Sequence, residues 1–147
     1  MHKEENMPKK DNKGRKPIWT ARFVVHEHHA KRAGLHYDLR LEVPKRKILW
    51  SFASRHKLPL KAGIRRLLIR QEDHDPYWLD FEGEIPPGEY GAGTLKIWDK
   101  GEYTLWSRKN NKVFVVEFKG KRLKGKYALV HTSGDNYLFL KMTDKGD

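Results

Sequence analysis

From Ile18 onward the apolar residues fall in short runs rich in β-branched and aromatic side chains, broken about every eight to twelve residues by Gly, Pro, Asn or Asp. That rhythm belongs to strands joined by turns rather than to helices, and it predicts an all-β chain with minor α content: a compact, mostly antiparallel barrel with few short helices. Strands are expected over 21–27, 36–43, 48–53, 67–72, 78–84, 94–99, 101–106, 113–118, 124–131 and 137–142. Two connections carry hairpin chemistry, Asp99-Lys100-Gly101 and Ser133-Gly134-Asp135-Asn136. The one helix candidate is 59–66, and Gly63 argues there for a turn or loop. Residues 1–17 are nearly all polar, a composition that cannot offset its own ordering entropy. They are expected to form a disordered basic arm ahead of a single domain over 18–147.

Alternation along one predicted strand brings out the chemistry. In His36-Tyr37-Asp38-Leu39-Arg40, the imidazole, carboxylate and guanidinium share one face, while Tyr37, Leu39 and Leu41 share the other. The polar face offers two ligands for a divalent metal and one fixed cation for an anionic group. An isolated pattern of this kind is more often a wet strand face, so its neighbours matter. His26-Glu27-His28-His29 ends the preceding strand, and a histidine from it can meet His36 if the two strands pair. On alternation His26 and His28 share a face and His29 takes the other, so at most some of these are ligands. A third cluster runs from Arg65 to His74, in which Arg66, Leu68 and Arg70 alternate with Leu67 and Ile69. A fourth, from Phe81 to Thr94, packs Pro86-Pro87 and several glycines into a tight loop whose constraint implies that it shapes something.

Charge and composition narrow the partners. The 147 residues hold 31 Lys and Arg against 19 Asp and Glu, a net charge of +12, which favours a polyanion. Nucleic acid comes before membrane, since no basic amphipathic helix or lipidation motif stands out. There are no cysteines, so thiolate catalysis, disulfides and Cys-based metal sites are excluded, and any metal must sit on His, Asp, Glu or backbone oxygen. With no membrane-length apolar run and no signal-peptide pattern, a cytoplasmic monomer is expected.

The ordered motifs Phe23-Val24-Val25, His28, Leu35 to Glu42, Glu72-Asp73-His74, Asp80 to Gly83, Ile85-Pro86, Gly88, Tyr90 to Thr94 and Trp98-Asp99 resemble the 3′-phosphoesterase module of bacterial DNA ligase D and its stand-alone archaeal and bacterial relatives. That resemblance implies a β-barrel with a crater-like active site holding Mn²⁺, or another divalent cation such as Co²⁺ or Zn²⁺. It implies removal of a 3′-terminal ribonucleoside, then of the 3′-phosphate left behind, from DNA or DNA-RNA primer-template ends in break repair, beside a ligase and a polymerase or primase. Carried over by position, His28, His36 and Asp38 match metal ligands, while Arg40, Arg66 and His74 match the catalytic groups that hold the phosphate. The loop between His28 and His36 is longer, through Ala33-Gly34, which leaves His26 and His29 open as alternatives to His28. Trp78 stands at the family's phosphate-contacting Tyr, with Tyr77 one place earlier, and Glu82 and Glu84 are candidates for orienting a His ring. Two other classes fit the residues alone: a non-haem Fe(II) oxygenase with a His2-Asp set, and a non-catalytic barrel that binds nucleic-acid ends.

Overall fold

The computed structural model describes residues 10, 11, 13–89 and 91–143. Most of the predicted basic arm, 1–9 and 12, lies outside the described residues, as do Tyr90 and 144–147. Within the rest of the arm, Asp11 accepts from the backbone N–H of Lys13 and Arg15 and pairs with Lys126 of the barrel at 3.5 Å.

Nine strands form, namely β1 (Trp19–Ala30), β2 (Gly34–Val43), β3 (Ile48–Ser54), β4 (Arg65–His74), β5 (Gly83–Ile85), β6 (Gly93–Lys109), β7 (Val113–Lys119), β8 (Lys124–Ser133) and β9 (Asn136–Lys141). They pair antiparallel in the order β1-β2-β3-β4-β9-β8-β7-β6-β5, and β6 also pairs with β1. Eight strands therefore close on themselves into the expected barrel, and β5 extends the sheet beyond β6. Closure removes the free edges that would otherwise invite aggregation. Phe23, Leu39, Phe52, Leu68, Phe118, Tyr127 and Phe139 fill the interior, all at most 2% exposed.

Several elements depart from the sequence pattern, each for a local reason. Segment 78–84 is not one strand: Asp75 caps a 3₁₀ turn, Pro76–Asp80, by accepting from the Tyr77 N–H, and only Gly83–Ile85 is extended. Segment 59–66 forms no helix; Gly63 takes a positive φ of 91° and the chain passes into β4. Ser133-Gly134-Asp135-Asn136 does turn β8 into β9, with Ser133 opposite Asn136. Asp99-Lys100-Gly101, by contrast, lies inside the 17-residue strand β6. The Asp99 carboxylate reaches across the sheet and accepts from the N–H groups of Lys121, Arg122 and Leu123. A side chain at Gly101 would strike the Lys119 carbonyl, so glycine marks a close backbone approach here, not a reversal.

A small second hydrophobic cluster lies outside the barrel, where Leu79 of the 3₁₀ turn packs on Val24 and Leu49, flanked by Trp78 and Ile97. It pins residues 75–89 as a flap against the outer face of β1, β2 and β3.

Asp99→Ala strands three buried or part-buried N–H donors of the β7–β8 turn, each costing about 1–3 kcal/mol. The variant is expected to lose at least about 3 kcal/mol in urea unfolding; a loss below about 1 kcal/mol would show that this carboxylate does not hold the turn.

Candidate functional site

The register of β1 against β2 sets His28 opposite His36, His26 opposite Asp38 and Val24 opposite Arg40. Phe23, Val25, Leu39 and Leu41 point into the core, so the intervening residues all project from the barrel's outer face, beneath the flap. His26, His28, Asp38 and Arg40 are nonetheless buried, at 0, 7, 6 and 5% exposure.

Three lone-pair donors converge there. His28 Nδ1 lies 3.1 Å from His36 Nε2 and 3.3 Å from Asp38 Oδ2, and His36 Nε2 lies 3.4 Å from Asp38 Oδ1. The Gly91 carbonyl, 2.8 Å from His28 Nε2, can only accept, so Nε2 carries the proton and Nδ1 turns a lone pair toward the other two. Acceptors this close repel one another unless a proton or a cation lies between them. Metal bonds of about 2.1 Å demand ligand atoms about 3.0 Å apart in adjacent octahedral positions and about 3.4 Å apart in tetrahedral ones. The shortest separations, 3.1–3.4 Å with the Asp38 contacts divided between its two oxygens, fall in that interval. These residues therefore fit a divalent ion, and the Gly91 carbonyl supplies the outer hydrogen bond that fixes a ligating imidazole. The hydrogen bond to Asp38 raises the His36 pKa.

Arg40 organises the other half. Its Nε donates to His26 Nδ1 at 3.2 Å and its Nη2 to Asp38 Oδ2 at 3.3 Å. Its Nη1 is buried and has no partner, and neither does the Ser51 hydroxyl on the residue paired with Arg40 in β3. His26 donates from Nε2 to the Phe81 carbonyl at 2.8 Å, so both its nitrogens are engaged and it is neutral. Burial, with the neighbouring Arg40 charge, pushes its pKa down to about 4. His26 is thus a positioning group inside the cluster rather than a free ligand. His29 turns away and pairs with Glu27 at 2.7 Å.

His74 reaches the same outer face through a bulge. Ser51 pairs with Gln71 but Leu49 pairs with His74, so two residues of β4 oppose one of β3. The extra residue reverses the alternation beyond it. Nδ1 of His74 donates to the Glu72 carbonyl at 2.9 Å, and burial together with Arg40 lowers its pKa, so the ring is held neutral with Nε2 unused.

Four other candidates from the sequence lie apart from the buried group. Arg66 precedes the bulge and keeps the inward phase of Leu68; its Nε donates to the Lys57 carbonyl, and it does not join the cluster. Tyr77 is 65% exposed on the 3₁₀ turn, against Trp78 and Phe81, and is not a member of the buried group. Glu82 orients no histidine: it accepts from the Ile97 N–H at 2.7 Å, beside the bulge between β1 and β6. Glu84 is exposed on β5. The groups that orient the rings are the carbonyls of Phe81 and Gly91, which no side-chain pattern reveals.

His26 carries a pH consequence. Its folded pKa of about 4 lies below the ordinary 6.5, so the unfolded chain takes up a proton between pH 6.5 and 4 that the folded chain refuses. In chelator, the parent should lose about 3 kcal/mol of unfolding free energy across that window through this group, and His26→Gln should lose correspondingly less. His36, with its raised pKa, acts in the opposite sense, its stabilisation fading only as pH rises through the folded value. Equal acid sensitivity in the parent and His26→Gln would contradict a buried neutral His26.

Residues 26–131 match the family model of the DNA Ligase D 3′-phosphoesterase domain. The chain is 40% identical over 134 residues to the multifunctional non-homologous end joining protein LigD of Mycolicibacterium smegmatis, covering 84% of this chain and 17% of that protein. It is 40% identical over 128 residues to the LigD of Mycobacterium tuberculosis, covering 85% and 16%, and 35% identical over 133 residues to that of Pseudomonas aeruginosa, covering 86% and 14%. The chain spans about a sixth of the length of these relatives. It belongs to the DNA ligase D 3′-phosphoesterase domain family.

Proposed function

We propose that this chain is a metal-dependent 3′-end-processing phosphoesterase acting on DNA or DNA-RNA primer-template ends during break repair, removing a terminal ribonucleoside and then the 3′-phosphate. The observation that carries the reading is the convergence of His28 Nδ1, His36 Nε2 and an Asp38 oxygen, all within 4.8 Å, beside a buried guanidinium with one unpartnered nitrogen. A ligase and a polymerase or primase as working partners, and a cytoplasmic setting, belong to this reading, and the relatives' names support the role in end joining. Among the described residues no helix is long and apolar enough to cross a membrane.

His28, His36 and Asp38 would hold the ion, and a His2-Asp set suits Mn²⁺, Co²⁺ or Zn²⁺ while leaving coordination positions open. When bound, that ion supplies Lewis-acid charge to a phosphate oxygen and lowers the pKa of a bound water. The protein's own contribution begins with Arg40. Two of its nitrogens are tied to His26 and Asp38, so the guanidinium charge is held in place beside the three ligand atoms, where it stabilises a bound phosphate. His74 starts neutral, and an arriving phosphate dianion raises its affinity for a proton. Protonated, it donates to a phosphate oxygen or to the departing 3′ oxygen. The flap carries the carbonyls of Phe81 and Gly91 that keep His26 and His28 in register, and it shields the group from bulk water.

Primer-templates labelled at the 5′ end of the primer, one ending in a single 3′ ribonucleotide and one in a 3′-phosphate, are expected to be trimmed in Mn²⁺ and untouched in chelator. His36→Ala and Asp38→Ala should each cut the rate at least about 100-fold, and Arg40→Gln by roughly 100- to 1,000-fold. Parent-like trimming by His36→Ala in the presence of metal would remove the basis of this reading.

A further inference from the structure

The wall that carries the cluster has a second charged feature on its other side. Arg40 projects outward from β2, while the adjacent Leu41, with Trp50 of β3, projects inward and lines a cavity of about 210 Å³ at one mouth of the barrel. This is the end of the β2–β3 and β6–β7 turns, away from the β1–β2 turn that follows His28. Arg46, Arg70 and Arg108 all line that cavity, and no acidic side chain does.

Two of the three cations are held against aromatic rings, while Arg46 is exposed at the rim. Arg70 lies over the rings of Phe52 and Trp50, with its carbon 5.4 and 5.9 Å from their centroids. Arg108 lies over Trp50 and Phe114 at 5.3 and 5.7 Å, and its Nε donates to Asn111 Oδ1 at 2.8 Å. Trp50 is 7% exposed, so this aromatic floor is part of the core and rigid. Asp73 pairs with Arg70 from outside the lining, at 2.7 Å, and leaves the other two guanidinium charges without a carboxylate. Like charges gathered in a concave setting raise the local positive potential, and planar guanidinium forks match phosphate oxygens. Stacking on aromatic rings fixes Arg70 and Arg108 before a ligand arrives, which reduces the ordering cost of binding.

The size of the cavity narrows the ligand. It is smaller than the roughly 300–1,000 Å³ of clefts that hold drug-sized molecules, so a single anionic group fits rather than a complete nucleotide. We propose that the barrel mouth lined by Arg46, Arg70 and Arg108 is a second phosphate site, which holds a backbone phosphate of a nucleic acid strand away from the reacting 3′ end. The inference does not depend on the metal assignment, and a chain with a disabled metal cluster keeps this site.

The test follows the arginine Nε–H resonances of Arg70 and Arg108 by NMR in the full chain, titrated separately with inorganic phosphate and with a single-stranded thymidine 12-mer. Both probes should shift these two resonances saturably, the 12-mer at far lower concentration if the source is a strand. The same shifts should appear in His36→Ala, which separates this site from the metal cluster. Arg46→Gln/Arg108→Gln should weaken 12-mer binding about 5- to 20-fold and lower the slope of log K against log salt by about 1.4, the value for two lost contacts on a single strand. The control Lys61→Gln/Lys124→Gln removes the same charge elsewhere and should fall well short of that loss. Unmoved Arg70 and Arg108 resonances with both probes, or equal losses in the two double variants, would overturn the proposal.

Discussion

A buried guanidinium is tolerated only when its surroundings neutralise and hydrogen-bond it, and Arg40 imposes that condition on everything around it. Asp38 supplies the countercharge and His26 accepts a second N–H, which keeps His26 neutral and fixes the carboxylate's orientation. Asp38, so held, faces His28 and His36 with its remaining lone pairs. Arg40 and Asp38 balance each other's charge, and the two imidazoles face the carboxylate from its other side. Removing Arg40 would release both halves of the cluster, because it holds His26 and Asp38 at once.

The cluster's place outside the barrel explains how one small domain carries both a solid core and a chemically open site. The interior is packed with aromatic and aliphatic side chains. The outer face of β1 and β2 would ordinarily be wet. Residues 75–89 and 91–92 change that, since Leu79 seats on Val24 and Leu49 while Phe81 and Gly91 present carbonyls to His26 and His28. Gly91 itself, with φ of 79°, sits against the His28 ring, where a β-carbon would be strained whatever the space. The constrained Pro-Pro-Gly loop is thus explained as the support of one imidazole.

Alternation was enough to read His36, Asp38 and Arg40 onto one face, because β2 is regular throughout its length. It also placed His26 and His28 together, and only their different partners separate a positioning histidine from one with a free lone pair. The same rule misassigned Arg66. Arg66 and His74 are an even number of residues apart, and a bulge that leaves no mark in composition sends them to opposite faces. Asp99-Lys100-Gly101 has the composition of a turn because a carboxylate is needed to bind three backbone donors, and a glycine to let β7 approach. Asp75-Pro76 did carry a readable signal, an N-cap followed by proline at the first helical position, which aromatic residues over 77–81 disguised as a strand.

Crystals grown in Mn²⁺ and measured at the manganese absorption edge examine the cluster most directly. One anomalous peak is expected within about 2.0–2.3 Å of His28 Nδ1, His36 Nε2 and an Asp38 oxygen, with His26 still bonded to Arg40. A fully loaded crystal with no peak there, or with a peak ligated by His26 or His29 instead, would contradict the convergence on which the chemistry rests.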